Sequence, residues 1–228
     1  MIRIFIGYDK MEPAAYHVLS HSIMRRATEP VSISPIKIEL LKNLYRRPRA
    51  SNHSTEFSLS RFLVPYLCDY QGWAIFMDCD MLCLDDISKL WALRDERFSV
   101  QVCRHDYEPR SRSKMLGSEQ TFYEKKNWSS LMLLNCMECS ALTPAYVNAA
   151  SGLELHQFKW LSGDDRIGAL PYRWNWLAGE YEHHNDVSIV HYTLGGPWWS
   201  QYVDCDYAKP WHAERKMMTE DPSCVVVA

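Results

Sequence analysis

Apolar and polar positions change rhythm along this chain, and the changes mark out its elements. Ile2 to Ile6 reads as a short strand, and Gly7-Tyr8-Asp9 as the turn that follows. Pro13 suits the first turn of a helix running to about Ala27, with Tyr16, Leu19, Ile23 and Met24 on one apolar stripe. Val31 to Ile38 alternates as a second strand, and Pro35 places it at a sheet edge or bulge. Residues 46–53 are basic and polar, a loop; Ser54 or Thr55 then caps a helix to about Leu67 with Phe57, Phe62 and Leu63 inward. Trp73 to Met77 is unbroken apolar sequence opened by Gly72, a buried strand.

Beyond it the pattern predicts a short helix from Ile87 to Leu93, a strand from Phe98 to Cys103, and an irregular loop from Asp106 to Lys126. Ser130 to Leu134 reads as a buried strand, and Thr143-Pro144 opens a helix through Ala150. Two late strands, Leu170 to Leu177 and Val187 to Tyr192, flank an acidic, histidine-rich stretch. The tail from Pro197 is aromatic and then polar, and disorder is expected from about position 215. Early alternation of strand and helix, with no internal repeat, predicts one α/β domain over residues 1–228 with a less regular second half.

Composition narrows the function. A net charge of −3 gives no reason to expect nucleic acid as a partner. No apolar run is long enough to span a bilayer, and Met1 leads straight into a strand, so a cytoplasmic protein is expected. Its eight cysteines are then reduced thiols, and the Cys136/Cys139 pair lacks partners to complete a zinc site. Nine Trp and thirteen Tyr are an unusual number; flat aromatic faces suit sugar rings and bases, although most of these residues are expected in the core.

The candidate chemistry begins at Asp78 and Asp80, which close the Trp73–Met77 strand. Residues i and i+2 of an extended chain share a face, so both carboxylates project to one side, where they suit a hard divalent cation. His191, at the end of a strand, can add a neutral imidazole, a set that suits manganese or, with less taste for nitrogen, magnesium. Gly195 and Gly196 just beyond it let a backbone approach a phosphate closely. Asp164 and Asp165 offer a base or a hydrogen-bonding pair for sugar hydroxyls, and Arg61 a planar fork for phosphate or carboxylate. Against these stand plain structural roles: a solvated acidic turn, a core histidine, a helix-capping acid pair and a surface arginine. His17 and His21 share a helix face without an acidic partner, and packing is the better reading there. Arg46, Arg47 and Arg49 read as a solvated basic loop.

Taken in order, these pieces resemble the GT-A glycosyltransferases, most closely glycosyltransferase family 8, which includes glycogenin and bacterial lipooligosaccharide galactosyltransferases. The likeness runs from Ile2 to about Trp198 and implies a Rossmann-like fold with a mixed central sheet. It also implies transfer of a hexose or deoxyhexose from a nucleotide sugar, a UDP-sugar by preference, to a glycan or other hydroxyl acceptor. By that resemblance Gly7, Tyr8 and Asp9 surround uracil, and Arg61 lies near the donor. Asp78 serves ribose and metal, Asp80 and His191 the metal. Asn127, opening the segment to Asn135, reaches the donor sugar; Asp164 and Asp165 stand for the family's Asp-Gln pair. The closing His-x-x-Gly-x-x-Lys-Pro-Trp motif corresponds to His191 through Trp198, but one residue shorter, with Gly196 where the diphosphate-binding lysine falls. Arg61 or an arginine of the 46–49 loop would then neutralise the diphosphate. Asp165, in place of glutamine, is a candidate general base.

Two other readings use the same residues. A haloacid-dehalogenase-type phosphatase would make Asp78 the nucleophile and Asp80 the acid/base, but that motif usually closes the first strand and continues with Thr or Val where this chain has Leu82. A non-catalytic carbohydrate binder would use Trp174, Trp176, Trp198 and Trp199 as stacking faces.

Overall fold

Strand β1 (Ile2–Gly7) continues into helix α1 (Pro13–Arg26), which returns the chain to β2 (Val31–Ile36), parallel to β1. The computed structural model describes residues 1–48, 55–106 and 123–220, with the backbone alone of two short paired strands, β6 (Ser113–Lys114) and β7 (Ser118–Glu119). On the other side of β1 lies β3 (Trp73–Met77), also parallel, reached through α2 (Val64–Leu67). All five side chains of β3 are buried, as a strand covered on both faces requires. β4 (Met81–Cys83) and α3 (Ile87–Trp91) follow, then β5 (Val100–Val102). β8 (Leu131–Asn135) runs antiparallel to both β3 and β5. After α4 (Pro144–Ala149) and α5 (Gly152–His156), β9 (Ile167–Ala169) pairs parallel with β5.

The result is a mixed six-stranded sheet in the order β2-β1-β3-β8-β5-β9, which places β2 and its Pro35 at an edge, as the sequence predicted. A smaller sheet, β10-β11-β4, combines β10 (Trp176–Leu177), β11 (Ile189–His191) and β4. α6 (Ala208–Glu220) packs on α1, and Val18, Tyr192, Tyr207 and Trp211 form a second apolar cluster between these parts.

Several expectations need correction. The helix predicted from residue 54 to 67 is a 3-10 turn, Ser60–Leu63, followed by the single turn α2. Pro65 has no amide to continue an α-helical ladder through this point. Met24 is exposed, because α1 serves two surfaces: Leu19 and Ile23 join the main core, while Val18 joins the second cluster and Ser22 accepts the Cys83 amide. Between Leu170 and Leu177 the chain forms a 3-10 turn, Tyr172–Trp174, and only β10 is strand, since Pro171 interrupts pairing; β9 lies just before. α5 was missed although Ser151 and Glu154 form a reciprocal capping box. α6 continues past position 215 to Glu220, where disorder was expected, because Trp211 and Glu214 anchor it in the interior. Residues 221–228, Arg49 and most of the 106–126 loop lie outside the described residues. The seven cysteines within them form no disulfide.

Candidate active site

Because β1 and β3 are parallel and β8 is antiparallel to them, the ends of the first two and the start of the third meet at one edge. Open α/β sheets bind ligands at such an edge. Here Asp78, Cys79 and Asp80 carry the chain from the large sheet into the small one. The Asp78 amide donates to Ser130 carbonyl at 2.8 Å, and Asp80 carbonyl accepts from the Tyr192 amide at 2.8 Å, so both sheets grip the crossover. The extended alternation holds: Asp78 and Asp80 share a cluster with His191, while Cys79 between them is fully buried.

Antiparallel pairing of β4 with β11 sets His191 opposite Met81 and so beside Asp80. His191 Nε2 lies 3.4 Å from Asp80 Oδ1, and one ligating atom from each of Asp78, Asp80 and His191 falls within 4.8 Å of the others. His191 Nδ1 is 2.9 Å from Asn175 Oδ1; an amide oxygen only accepts, so Nδ1 donates here and Nε2 is the ring nitrogen that faces the carboxylates. Asn175 is fully buried, and its Nδ2 donates to Ser130 Oγ at 2.8 Å, which fixes the amide's orientation. Two carboxylates and an oriented imidazole fit a divalent cation of the manganese or magnesium type.

Arg61 is buried, not a surface residue. Its guanidinium carbon lies 5.3 Å from the Phe57 ring centre and 5.1 Å from that of Phe76. Nε donates to Ser58 carbonyl at 2.9 Å, Nη1 to Ser129 carbonyl at 2.9 Å, and Nη1 also reaches Asp78 Oδ1 at 2.7 Å. A rigid guanidinium thus balances one carboxylate of the cluster and fixes where it points. Sequence reasoning singled out Arg61 but not its partner.

Glu12 was missed altogether. It precedes α1, is almost wholly enclosed, and accepts the indole N–H groups of Trp198 (3.2 Å) and Trp199 (3.4 Å) on Oε1. Cys79 Sγ lies 3.7 Å from its other oxygen. Burial, then the charge of Asp80, pushes the Glu12 carboxyl up to about 8, with Asp9 adding and the indole bonds opposing. Such a group is largely a neutral acid at pH 7, which limits the negative charge packed around the crossover.

The remaining candidates are placed as follows. Gly7 ends β1 against the Phe57 ring, where a Cβ would lie 2.3 Å away. Tyr8 is half-buried, with Lys37 Nζ 5.1 Å from its ring centre. Asp9 is buried, and its oxygens accept the amides of Met11 (2.9 Å) and Glu56 (3.0 Å). Asn127 has a left-handed backbone and its carbonyl accepts from Ser130 Oγ and Asn175 Nδ2, joining it to the residues behind His191. Asp164 is exposed and bonded at 2.5 Å to Lys125, which holds its carboxyl below the usual range. Asp165 is exposed beside it. Gly195 takes a φ of +125°, and its amide closes the turn on Tyr192 carbonyl at 2.9 Å. The Arg46 amide and the Arg47 guanidinium are fastened to Asn148, Val147 and Ala150 around α4. His21 belongs to Glu214 at 2.6 Å, and His17 is exposed.

Comparisons with known proteins agree with this geometry. The family described as "Glycosyl transferase family 8" matches residues 3–140. Protein CDI of Arabidopsis thaliana is 47% identical over 218 residues, covering 92% of this chain and 84% of its own. The galactosyltransferase LgtC, solved with donor and acceptor sugar analogues, superposes with a TM-score of 0.60 at 13% identity, covering 96% of both chains. The bifunctional glycosyltransferase WbbM gives a TM-score of 0.64 at 14% identity over 94% of this chain, which spans only 49% of WbbM. GlyE of Streptococcus pneumoniae TIGR4 gives 0.61 at 13% identity, with 94% of this chain and 61% of GlyE covered. The fold is therefore that of GT-A glycosyltransferases.

Proposed function

Since the chain belongs to glycosyl transferase family 8, we propose that it moves a hexose or deoxyhexose from a UDP-sugar to a hydroxyl of a glycan or smaller acceptor, with manganese or magnesium held by Asp78, Asp80 and His191. The observation that carries this reading is the convergence of those three side chains, from distant parts of the sequence, at the kind of sheet edge where open α/β folds bind ligands. A phosphatase of the haloacid-dehalogenase type has no support in this fold.

When bound, the cation would supply Lewis-acid stabilisation of the charge that grows on the leaving diphosphate. The protein's own groups set the stage. Arg61 fixes Asp78, and Asn175 fixes the tautomer and plane of His191. Gly7, Tyr8 and Asp9 form the rim for the uracil and its sugar, and the turn at Gly195 and Gly196 lets backbone come close to the phosphates. Asn127 and Asp164 orient donor hydroxyls. Asp165, exposed to an acceptor arriving from solvent, orients or deprotonates the attacking hydroxyl.

Incubating the protein with a panel of UDP-, GDP- and dTDP-sugars, with and without manganese, tests this directly. Steady, manganese-dependent release of UDP is the expected result. Stoichiometric binding of sugars without turnover across the panel would favour a carbohydrate binder instead. The supporting ring of residues is testable separately: Asn175→Ala will weaken manganese binding about 10- to 100-fold, as loss of a ligand's hydrogen-bond partner does. Titration calorimetry with the metal alone measures it, and an unchanged affinity would show that His191 is oriented by other means.

A further inference from the structure

Glu12 has no role in the function proposed above, yet it joins three parts of the site. Its amide donates to Asp9 carbonyl at 3.0 Å in the turn after β1. Its carboxyl lies against Cys79, between the two metal-cluster aspartates, and accepts both indoles from the turn that follows His191. Within that turn the Gly195 amide donates to Tyr192 carbonyl (2.9 Å) and the Trp199 amide to Gly196 carbonyl (3.0 Å), and the Trp198 ring packs against Tyr192 and Trp211. Gly196 is covered by the Trp198 ring so closely that a Cβ there would sit 2.0 Å from ring carbon, and a Cβ on Gly195 would sit 2.6 Å from Tyr202. The backbone's position therefore follows the position of Trp198, whose ring Tyr192 and Trp211 pack and whose indole N–H Glu12 accepts.

We propose that Glu12 is a positioning residue: by gripping Trp198 and Trp199 it holds the compact Gly195–Trp199 turn down over the space beside Asp80, where the diphosphate of the donor would lie. The assignment rests on the function proposed above. It explains how a turn lacking a long basic side chain at Gly196 still keeps a defined wall for the phosphates: the wall is backbone, clamped from beneath by a carboxyl that is almost fully enclosed. Glutamine keeps an oxygen acceptor in that place; methionine keeps the volume and removes it.

The test uses the full-length chain and three variants, Glu12→Gln, Glu12→Met and Trp199→Phe. Hydrogen exchange of the indole N–H groups, assigned by single Trp→Phe substitutions and read by NMR, reports the clamp without any reference to activity. Exchange of both indoles should accelerate roughly tenfold or more in Glu12→Met, the scale of one lost hydrogen bond, and stay slow in Glu12→Gln. UDP affinity with saturating manganese should fall roughly tenfold in Glu12→Met and a few-fold in Trp199→Phe, and return to near the wild-type value in Glu12→Gln. Affinity for manganese alone should hold, and in turnover the change should fall on donor KM more than on kcat. Protected indoles in Glu12→Met, or released indoles with undiminished UDP affinity, would overturn the proposal. Where Glu12→Met does not fold, Trp199→Phe decides it by UDP affinity alone, and undiminished affinity in that variant would overturn the proposal. Wild-type protein that binds manganese but no UDP, with indoles that respond as described, would instead sink the proposed function and the ligand assigned to the turn.

Discussion

Asp80→Ala will lower transfer from a UDP-sugar about a thousandfold or more at saturating manganese, because a metal ion contributes several kcal/mol at the transition state and about 4 kcal/mol is three powers of ten. The fold should survive the change. What anchors Asp80 in the small sheet is its carbonyl, which accepts the Tyr192 amide and is kept by alanine. The substitution also takes away one of the two carboxylates, those of Asp78 and Asp80, drawn together in the cluster, so repulsion inside the site falls. Thermal unfolding without metal should accordingly be unchanged or slightly later, while the stabilisation produced by added manganese should vanish. Turnover near that of the wild type would remove Asp80 from the metal centre.

The largest effect on stability is expected far from the site, at Glu214. This carboxylate on α6 is completely enclosed and takes bonds from Arg25 Nε and Nη2 (both 3.0 Å), Arg26 Nη1 (2.7 Å) and His21 Nδ1 (2.6 Å), all on α1. Glu214→Ala leaves three basic groups facing an empty space. The cost should be about 3 kcal/mol, the low end for breaking a buried pair, since the arginines partly reach water. For a chain of this size that is a fall of about 6–12 °C in Tm. Burial alone would raise the Glu214 carboxyl, but the bonds from Arg25 and Arg26, the Arg26 charge and the His21 bond outweigh it, so its pKa lies below 4.5. The sign follows: folding is favoured by this group at any pH above 4.5, and the advantage is lost as the pH falls through the lower folded-state value. Glu214→Gln should therefore flatten the acid side of the stability curve, as measured by urea unfolding from pH 7 down to pH 3. An identical acid limb in both proteins would show that other carboxylates govern it.

How much could be read in advance depended on how local the physical cause is. Asp78 and Asp80 were legible because strand alternation acts over two residues and needs no partner to be deduced. His191 was legible as the end of a strand with glycines after it, though its pairing across from Met81 is a property of the small sheet, which no local pattern announces. Arg61, Asn175 and Glu12 show the other limit. Each is a polar side chain in an apolar neighbourhood, and its meaning lies in a bond to Asp78, His191 or Trp198 that the chain makes only when folded. A buried asparagine between Trp174 and Trp176 was in fact visible in the sequence; the flanking aromatics drew the eye as stacking faces, when the amide was the informative atom. The element errors share a cause. β9, β10 and β11 are two or three residues long and borrow their stability from neighbours, so propensity has too few positions to register.

The packing of Trp198 on Gly196 also bears on how such a sequence can drift. A lysine arriving at this position by a single codon change would collide with the ring beneath it and displace the turn before its charge could help. A basic side chain in this turn therefore needs more than a substitution at Gly196: the tryptophan beneath it has to be relocated as well.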